Sequence, residues 1–352
     1  MLVDMSAHIA PKILTHFSSN ARDLPWRNPP GRALPLGDPN WPYRVWLSEV
    51  MLQQTTVAAV TPYFEAFTAR WPSVTALADA DDTEVMTAWA GLGYYARARN
   101  LLACARAVSA KGGRFPEDEG ELRALPGIGA YTAAAIAAFA YGKRAVVVDG
   151  NIERVIARLF AITTPMPAAR AEIYQAMDAL TPNGAAGDFA QGLMDLARSL
   201  CTPRNPRCML CPVMAHCQGK DAPQTYPVKA AKTKRPERVG TTWWIECDGE
   251  VLLIRRLDKG LLGGMRALPS GEWGETNVAT PPIAADWHPI GTVTHIFTHF
   301  RLTLNIQGVR LKRGCKPQLD GEWWKMERLD EAGLPSLFAK AAARAMNWEK
   351  VA

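Results

Sequence analysis

The chain has 352 residues, 48% hydrophobic and 21% charged, with a net charge of +6 and a pI of about 8.9. This is the composition of a soluble globular protein with room for about two domains. The basic balance suits a polyanionic partner such as nucleic acid but does not establish one. The opening MLVDMSAHIAPKILTHF has no basic segment followed by an apolar core, so it does not read as a signal peptide. The uncharged run Ala130 to Gly142 is too short to span a bilayer. A cytoplasmic protein with no membrane contact is expected.

Residues 1–217 read as an all-α domain. Apolar residues recur at helical spacing in Trp46-Leu47-Val50-Met51, Val85-Met86-Trp89, Leu101-Leu102-Ala105-Val108 and Ile152-Val155-Ile156-Leu159. Pro42, Pro62, Pro72, Gly91, Gly93, Pro126, Gly127, Gly129 and Gly150 punctuate them. Within the first of these segments, Glu49 sits among Val45-Trp46-Leu47 and Val50-Met51-Leu52. Apolar surroundings favour the neutral carboxyl, the form a general acid needs. A solvated helical glutamate is the alternative.

Leu125-Pro126-Gly127-Ile128-Gly129-Ala130-Tyr131-Thr132 places two glycines in a tight turn before an Ala-rich helix. Backbone N–H groups at such a helix start bind phosphate, although a plain interhelical turn has the same pattern. Val146-Val147-Val148-Asp149-Gly150-Asn151 then puts an acid at the start of another helix. It reads as an N-cap, and the same N–H groups favour its charged form. Two carboxyls in unlike environments can take different parts in acid–base chemistry.

Seven cysteines are present, and four of them, Cys201, Cys208, Cys211 and Cys217, follow C-x6-C-x2-C-x5-C. In a reducing compartment such a group holds a soft metal centre. A zinc ribbon normally has two C-x2-C pairs and here there is one, so the spacing favours a cubane [4Fe-4S] cluster. Arg198, Arg204, Arg207 and Lys220 surround this loop. The cluster reads as a structural clip shaping a DNA-facing loop.

Residues 218–240 change character. Lys220 to Arg238 holds six Lys or Arg against two Asp or Glu, with Pro223, Pro227 and Pro236, and reads as a basic, semi-stiff linker. From 241 to 352 an α+β domain is expected. Strands are predicted at Trp243-Trp244-Ile245, Val251-Leu252-Leu253-Ile254, Val293-Thr294-His295-Ile296-Phe297 and Leu302-Thr303-Leu304-Asn305-Ile306, with a turn at Asp248-Gly249 and a helix from about Pro335 to Met346.

Taken together, the L-P-G-I-G turn, the V-D-G-N segment and the cysteine spacing resemble the helix-hairpin-helix glycosylase superfamily, as in endonuclease III. Leu24-Pro25-Trp26-Arg27, the run Trp46 to Thr55 and the run Gly91 to Asn100 narrow this to similarity with the MutY family of adenine glycosylases. The resemblance implies a monofunctional DNA glycosylase of base excision repair. Its partner would be double-stranded DNA carrying A:8-oxoguanine or A:G mispairs, bound by a nucleoid-associated monomer. Adenine would be removed to leave an abasic site.

It further implies roles for residues. Glu49 protonates adenine and later activates water. Asp149 stabilises the sugar cation or traps it covalently, with Tyr131 and Asn151 as polar supports. Trp26, Arg27, Leu52 and Gln191 match positions lining the adenine pocket. Gln54 and Tyr94 match residues that wedge into the duplex. Tyr131 stands where bifunctional relatives carry a catalytic lysine; a Schiff base needs an amine, so strand cleavage is expected to be weak.

The C-terminal domain resembles the Nudix fold through Leu253-Ile254-Arg255-Arg256, Gly260 to Met265 and Leu268-Pro269. The continuation Ser270-Gly271-Glu272-Trp273-Gly274-Glu275 lacks the glutamate-rich run that holds magnesium, so the fold is expected without the hydrolase chemistry. Phe297-Thr298-His299 is similar to the loop with which the family reads 8-oxoguanine, and Thr298 keeps the hydroxyl. One departure is the Pro/Gly-rich stretch Asn28 to Pro42, longer than the family's usual link. A bifunctional lyase, a Nudix pyrophosphohydrolase and a non-catalytic iron–sulfur regulator are the rival readings. Tyr131, the missing glutamates and the pair Glu49 and Asp149, respectively, speak against them.

Overall fold

The computed structural model describes residues 2–230, 235–257, 261–277, 279–297 and 299–348. It divides into two compact units, Met1–Ala231 and Lys232–Ala352.

The first unit is helical: α1 (Leu2–Asn20), α2 (Trp41–Leu52), α3 (Val57–Arg70), α4 (Val74–Ala78), α5 (Asp82–Ala88), α6 (Tyr95–Ser109), α7 (Glu119–Arg123), α8 (Ala130–Tyr141), α9 (Gly150–Leu159), α10 (Arg170–Leu180) and α11 (Ala186–Ser199). Short polar side chains set several starts. Thr56, Ser73, Asp81, Asp118 and Asp149 each accept a hydrogen bond from the first turn that follows. Helix α8 is buried from Thr132 through Ala140. Alanine there does more than favour helix. At Gly187 of α11 an added Cβ would lie 2.6 Å from the Ala138 carbonyl oxygen, so α8 and α11 meet backbone to backbone.

The second unit is a mixed sheet of β1 (Glu237–Cys247), β2 (Glu250–Arg255), β3 (Arg266–Ala267), β4 (His288–Ile296), β5 (Arg301–Arg310) and β6 (Glu322–Lys325), with α12 (Ser336–Met346). The order is β3-β2-β1-β5-β4, with β6 on β2. β1 and β5 run parallel, from Glu237 opposite Arg301 to Glu246 opposite Arg310, and the other named pairs are antiparallel. Asp248 (φ 53°) and Gly249 (φ 74°) turn β1 into β2, as an Asp-Gly hairpin demands. Helix α12 buries Leu337, Phe338, Ala341, Ala342 and Ala345, in one core with Trp244, Leu302, Leu304 and Ile306. No helix among the described residues is long and apolar enough to cross a membrane.

The proposed 218–240 linker needs correction. The division falls at 231/232, and residues 218–230 pack on the helical unit. Gln218 and Gly219 N–H groups donate to Leu159 and Arg158 carbonyls at 3.0 and 2.9 Å, and the Met166 N–H donates to Val228 at 2.8 Å. The buried Arg158 side chain bonds the Pro223 carbonyl at 2.7 Å. The prolines there shape a docked segment: the Pro223 and Tyr226 carbonyls accept from Arg158 of α9, at 2.7 and 3.3 Å. At the other end, β1 already begins at Glu237.

Gly187→Val should destabilise the helical unit by about 1–3 kcal/mol through overpacking against α8, read as a lower midpoint in chemical denaturation.

Candidate active site

The end of α2, the starts of α8 and α9, the middle of α11 and the loop before α2 surround a cavity of about 540 Å³. Glu49, Asp149, Tyr131, Asn151, Trp26, Arg27, Leu52 and Gln191 all line it. Residues more than 160 positions apart in sequence are thus brought to one place.

Glu49 is 7% exposed. Burial pushes its carboxyl up to about 7, and the nearby Asp149 charge adds to this, while the Tyr131 hydrogen bond and Arg27 pull the other way. Tyr131 donates its hydroxyl to Glu49 Oε2 at 2.8 Å. With Oε2 accepting from Tyr131, Oε1 is left free to carry the proton of the neutral form. Burial, with the charges of Glu49 and Asp149, holds the Tyr131 phenol well above its ordinary range, so it stays a donor.

Asp149 caps α9. It accepts from the Asn151 and Ile152 N–H groups at 3.0 and 2.7 Å and from the Asn151 side-chain amide at 2.8 Å. Arg154 in turn donates to Asn151 Oδ1 at 3.2 Å and to the Cys201 carbonyl at 2.9 Å.

Arg27 is 6% exposed at its side chain and is held by Asp195, with Nη1 2.6 Å from Oδ2. Arg22 donates Nε to the other oxygen of Asp195, also at 2.6 Å. One buried carboxylate thus serves two guanidinium groups. This arrangement was not visible in the sequence, where Asp195 lies 168 positions from Arg27. Trp41, Arg22, Ser48, Arg154 and Arg198 also line the cavity unannounced. Asn28 joins them from the Pro/Gly-rich stretch, folded by a bond from its amide to the Arg32 carbonyl at 2.8 Å. Trp26 rests edge-on against Phe64, 5.1 Å between ring centres.

Gln54 and Tyr94 do not line the cavity. Both are exposed, and both have left-handed backbones, with φ 58° and 49°. Gly127 (φ 73°) and Gly129 are exposed in the α7–α8 turn. A Cβ on Gly127 would lie 2.8 Å from Asn100 Cβ, so only glycine fits. Gly129 precedes α8 without a side-chain cap and with open space around it, leaving the first N–H groups of α8 uncapped.

Cys201, Cys208, Cys211 and Cys217 line one pocket with Arg158 and Lys220. Among the described residues no three His, Cys, Asp or Glu close on a point that would hold a single metal ion. The thiols ring a space, as a multi-iron cluster needs. Arg158, 2% exposed, places Nη1 3.3 Å from Cys201 Sγ and bonds the Cys201 and Thr202 carbonyls. A buried cation beside four sulfurs offsets the negative charge that thiolate ligation brings. The donor set and its counter-charge therefore fit a [4Fe-4S] cluster held by these four residues.

In the second unit Phe297 stacks on Trp273, 5.8 Å apart, and meets His295 at 4.5 Å and Phe300 at 4.9 Å. Its N–H donates to the Phe300 carbonyl at 2.9 Å, closing the β4–β5 hairpin. His299 is exposed at the tip, and Thr298 lies outside the described residues. Between Ser270 and His288 the described residues form no helix.

Comparison with known proteins bears on the fold and the family. Residues 47–179 match the helix-hairpin-helix superfamily of base excision DNA repair proteins, 201–217 the iron–sulfur binding domain of endonuclease III, and 241–344 the NUDIX domain. The helical unit superposes on a thermostable thymine-DNA glycosylase with TM-score 0.54 and 28% identity, covering 62% of this chain and 97% of that one. An endonuclease III–DNA complex shares the fold at TM-score 0.52 and 21% identity.

Identity to mouse adenine DNA glycosylase is 32% over 361 residues, 85% of this chain and 70% of the mouse protein. For the Mycolicibacterium smegmatis adenine DNA glycosylase it is 39% over 212 residues, 60% and 69% of the two chains. The human one is 32% identical, and this chain spans 66% of its length. The chain belongs to the adenine DNA glycosylase family.

The raised Glu49 carboxyl has a consequence for stability. Its proton is bound more tightly in the folded than in the unfolded chain, where the ordinary value is 4.5. The stability it lends is complete below that value and is lost as pH rises through about 7. Glu49→Gln should therefore gain melting temperature relative to the parent above neutral pH and show no gain at acidic pH. A gap that does not change with pH would contradict the raised value. Separately, Cys208→Ser should lower iron and acid-labile sulfide content and destabilise the 201–217 loop, measured by metal analysis and limited proteolysis.

Proposed function

We propose that this chain is a monofunctional glycosylase that hydrolyses the N-glycosidic bond of adenine opposite 8-oxoguanine or guanine in duplex DNA. The observation that carries this reading is one cavity holding both a buried carboxyl raised to about 7 and a second carboxyl fastened at a helix start.

In the proposed reaction, the extruded adenine enters between Trp26, Leu52 and Gln191. Glu49 gives its Oε1 proton to a ring nitrogen of adenine, and the glycosidic electron pair leaves with the base. Asp149 faces the cationic sugar carbon and stabilises it, or adds to it transiently. A water then supplies its oxygen to that carbon, and its proton returns to Glu49. The Tyr131 hydroxyl stays on Glu49 Oε2 throughout and fixes which oxygen carries the proton. Tyr131 has no amine, so no Schiff base forms and the strand stays intact. The cluster, when bound, supplies no step. It would brace the 201–217 loop, whose Pro203 lines the cavity together with Arg198 just before the loop.

The Phe297–His299 hairpin is the proposed reader of 8-oxoguanine. Phe297 supplies a stacking face, and Thr298 and His299 supply hydrogen-bonding groups. The duplex itself would be held partly by the uncapped N–H groups after Gly129.

The test is single-turnover excision on duplexes carrying A opposite 8-oxoguanine, G or T, followed by alkali cleavage. Excision opposite 8-oxoguanine and G but not T is expected, with little borohydride-trapped adduct. Equal excision opposite T, or strong trapping, would reject the reading. Glu49→Gln and Asp149→Asn should each lower the rate by about 100-fold or more.

A further inference from the structure

Arg97 sits in the first turns of α6, yet its guanidinium is turned into the protein. Nη1 donates to the Val50 and Met51 carbonyls at 3.1 and 3.0 Å and also to the Gln53 carbonyl. Nη2 donates to Thr55 Oγ1 and to the Leu92 carbonyl, both at 3.2 Å. The same group lies 5.4 Å from the ring centres of both Trp89 and Tyr94. A cation at the end of α2 would by itself be an ordinary helix cap. What goes beyond a cap is the second loop. The planar fork joins the end of α2 to the turn at 91–94 and stacks on the residue at its apex.

Each of the joined loops ends in an exposed, non-glycine residue with a left-handed backbone, Gln54 at φ 58° and Tyr94 at φ 49°. Such conformations persist only where the surroundings over-determine them. Here the surroundings are visible. Gln53 and Thr55, on either side of Gln54, both bond Arg97. The 91–94 turn is held by Arg97 at Leu92, by Trp89 Nε1 at the Gly93 carbonyl (3.0 Å) and, just before it, by the Tyr63 hydroxyl at the Ala90 carbonyl (2.7 Å).

We propose that Arg97 is a positioning residue that locks the Gln54 and Tyr94 turns into one rigid two-pronged wedge. The wedge fills the duplex where adenine is extruded, so the inference rests on the excision reading above. Arg97 touches no reacting atom. It acts by removing the freedom of the two prongs before they meet DNA, so that the binding energy is not spent on ordering them.

Arg97→Lys keeps the charge but replaces the fork by a point donor that cannot bridge both loops, and Arg97→Gln removes the charge as well. Hydrogen exchange, read first without DNA, should rise in residues 52–55 and 91–95 together in either variant. A rise confined to 52–55 marks a simple helix cap and overturns the proposal. Single-turnover excision opposite 8-oxoguanine should then fall by about tenfold or more, with the pH profile unmoved.

Combined with Tyr94→Leu and Gln54→Ala, which remove both prongs, the Arg97→Lys change should add little to the loss from those two changes alone. Fully multiplicative losses would show that Arg97 does not act through the wedge. If the parent protein itself excises nothing, the functional reading fails, while the paired exchange response still decides whether Arg97 couples the two turns.

Discussion

A carboxyl buried without a cation of its own is the constraint around which the helical unit is built. Glu49 is nearly inaccessible, with Val45, Leu52 and Phe139 among the cavity walls. Among the arginines that line the same space, Arg22 and Arg27 would each drive Glu49 to the charged form if paired with it. Asp195 takes both instead, each at 2.6 Å. The cavity thus keeps its positive groups, but their nearest charge is elsewhere, and desolvation decides the state of Glu49. Tyr131 adds a hydrogen bond that orients the carboxyl without neutralising this effect.

Holding that arrangement takes helices that approach closely. α11 carries Gln191 and Asp195 on the cavity side, and its glycines let it press on its neighbours. At Gly187 it meets the α8 backbone, and at Gly192 a Cβ would come within 2.9 Å of Ile13 on α1. α9 carries Asp149 at its first turn and Arg158 near its last, so one rigid helix connects the acid to the cysteine loop. Its second arginine, Arg154, spans from Asn151 to the Cys201 carbonyl.

Much of this was legible in the sequence because it is local. The helical periods, the Asp-Gly hairpin, the cysteine spacing and the apolar run around Glu49 each need only a dozen neighbouring residues. The Asp149 cap was legible for the same reason. What stayed hidden is long-range or depends on backbone strain. Asp195 looks like any helical aspartate until the fold brings Arg22 and Arg27 to it. Residues 218–230 look like a linker because their composition is basic and proline-rich, and only the carbonyl-hungry Arg158 explains why they dock. The short strands β3 and β6 owe their existence to pairing with β2. Gln54 and Tyr94 occupy left-handed conformations that glycine usually signals, and neither is glycine.

The protonation state of Glu49 is the centre of the account, and an isotope-edited infrared titration of its carboxyl in the free protein measures it directly. The account predicts a protonated band that persists to neutrality and is lost with a midpoint near 7. A midpoint in the ordinary range near 4.5 would mean that Glu49 is ionised at working pH, which would contradict the general-acid role proposed for it.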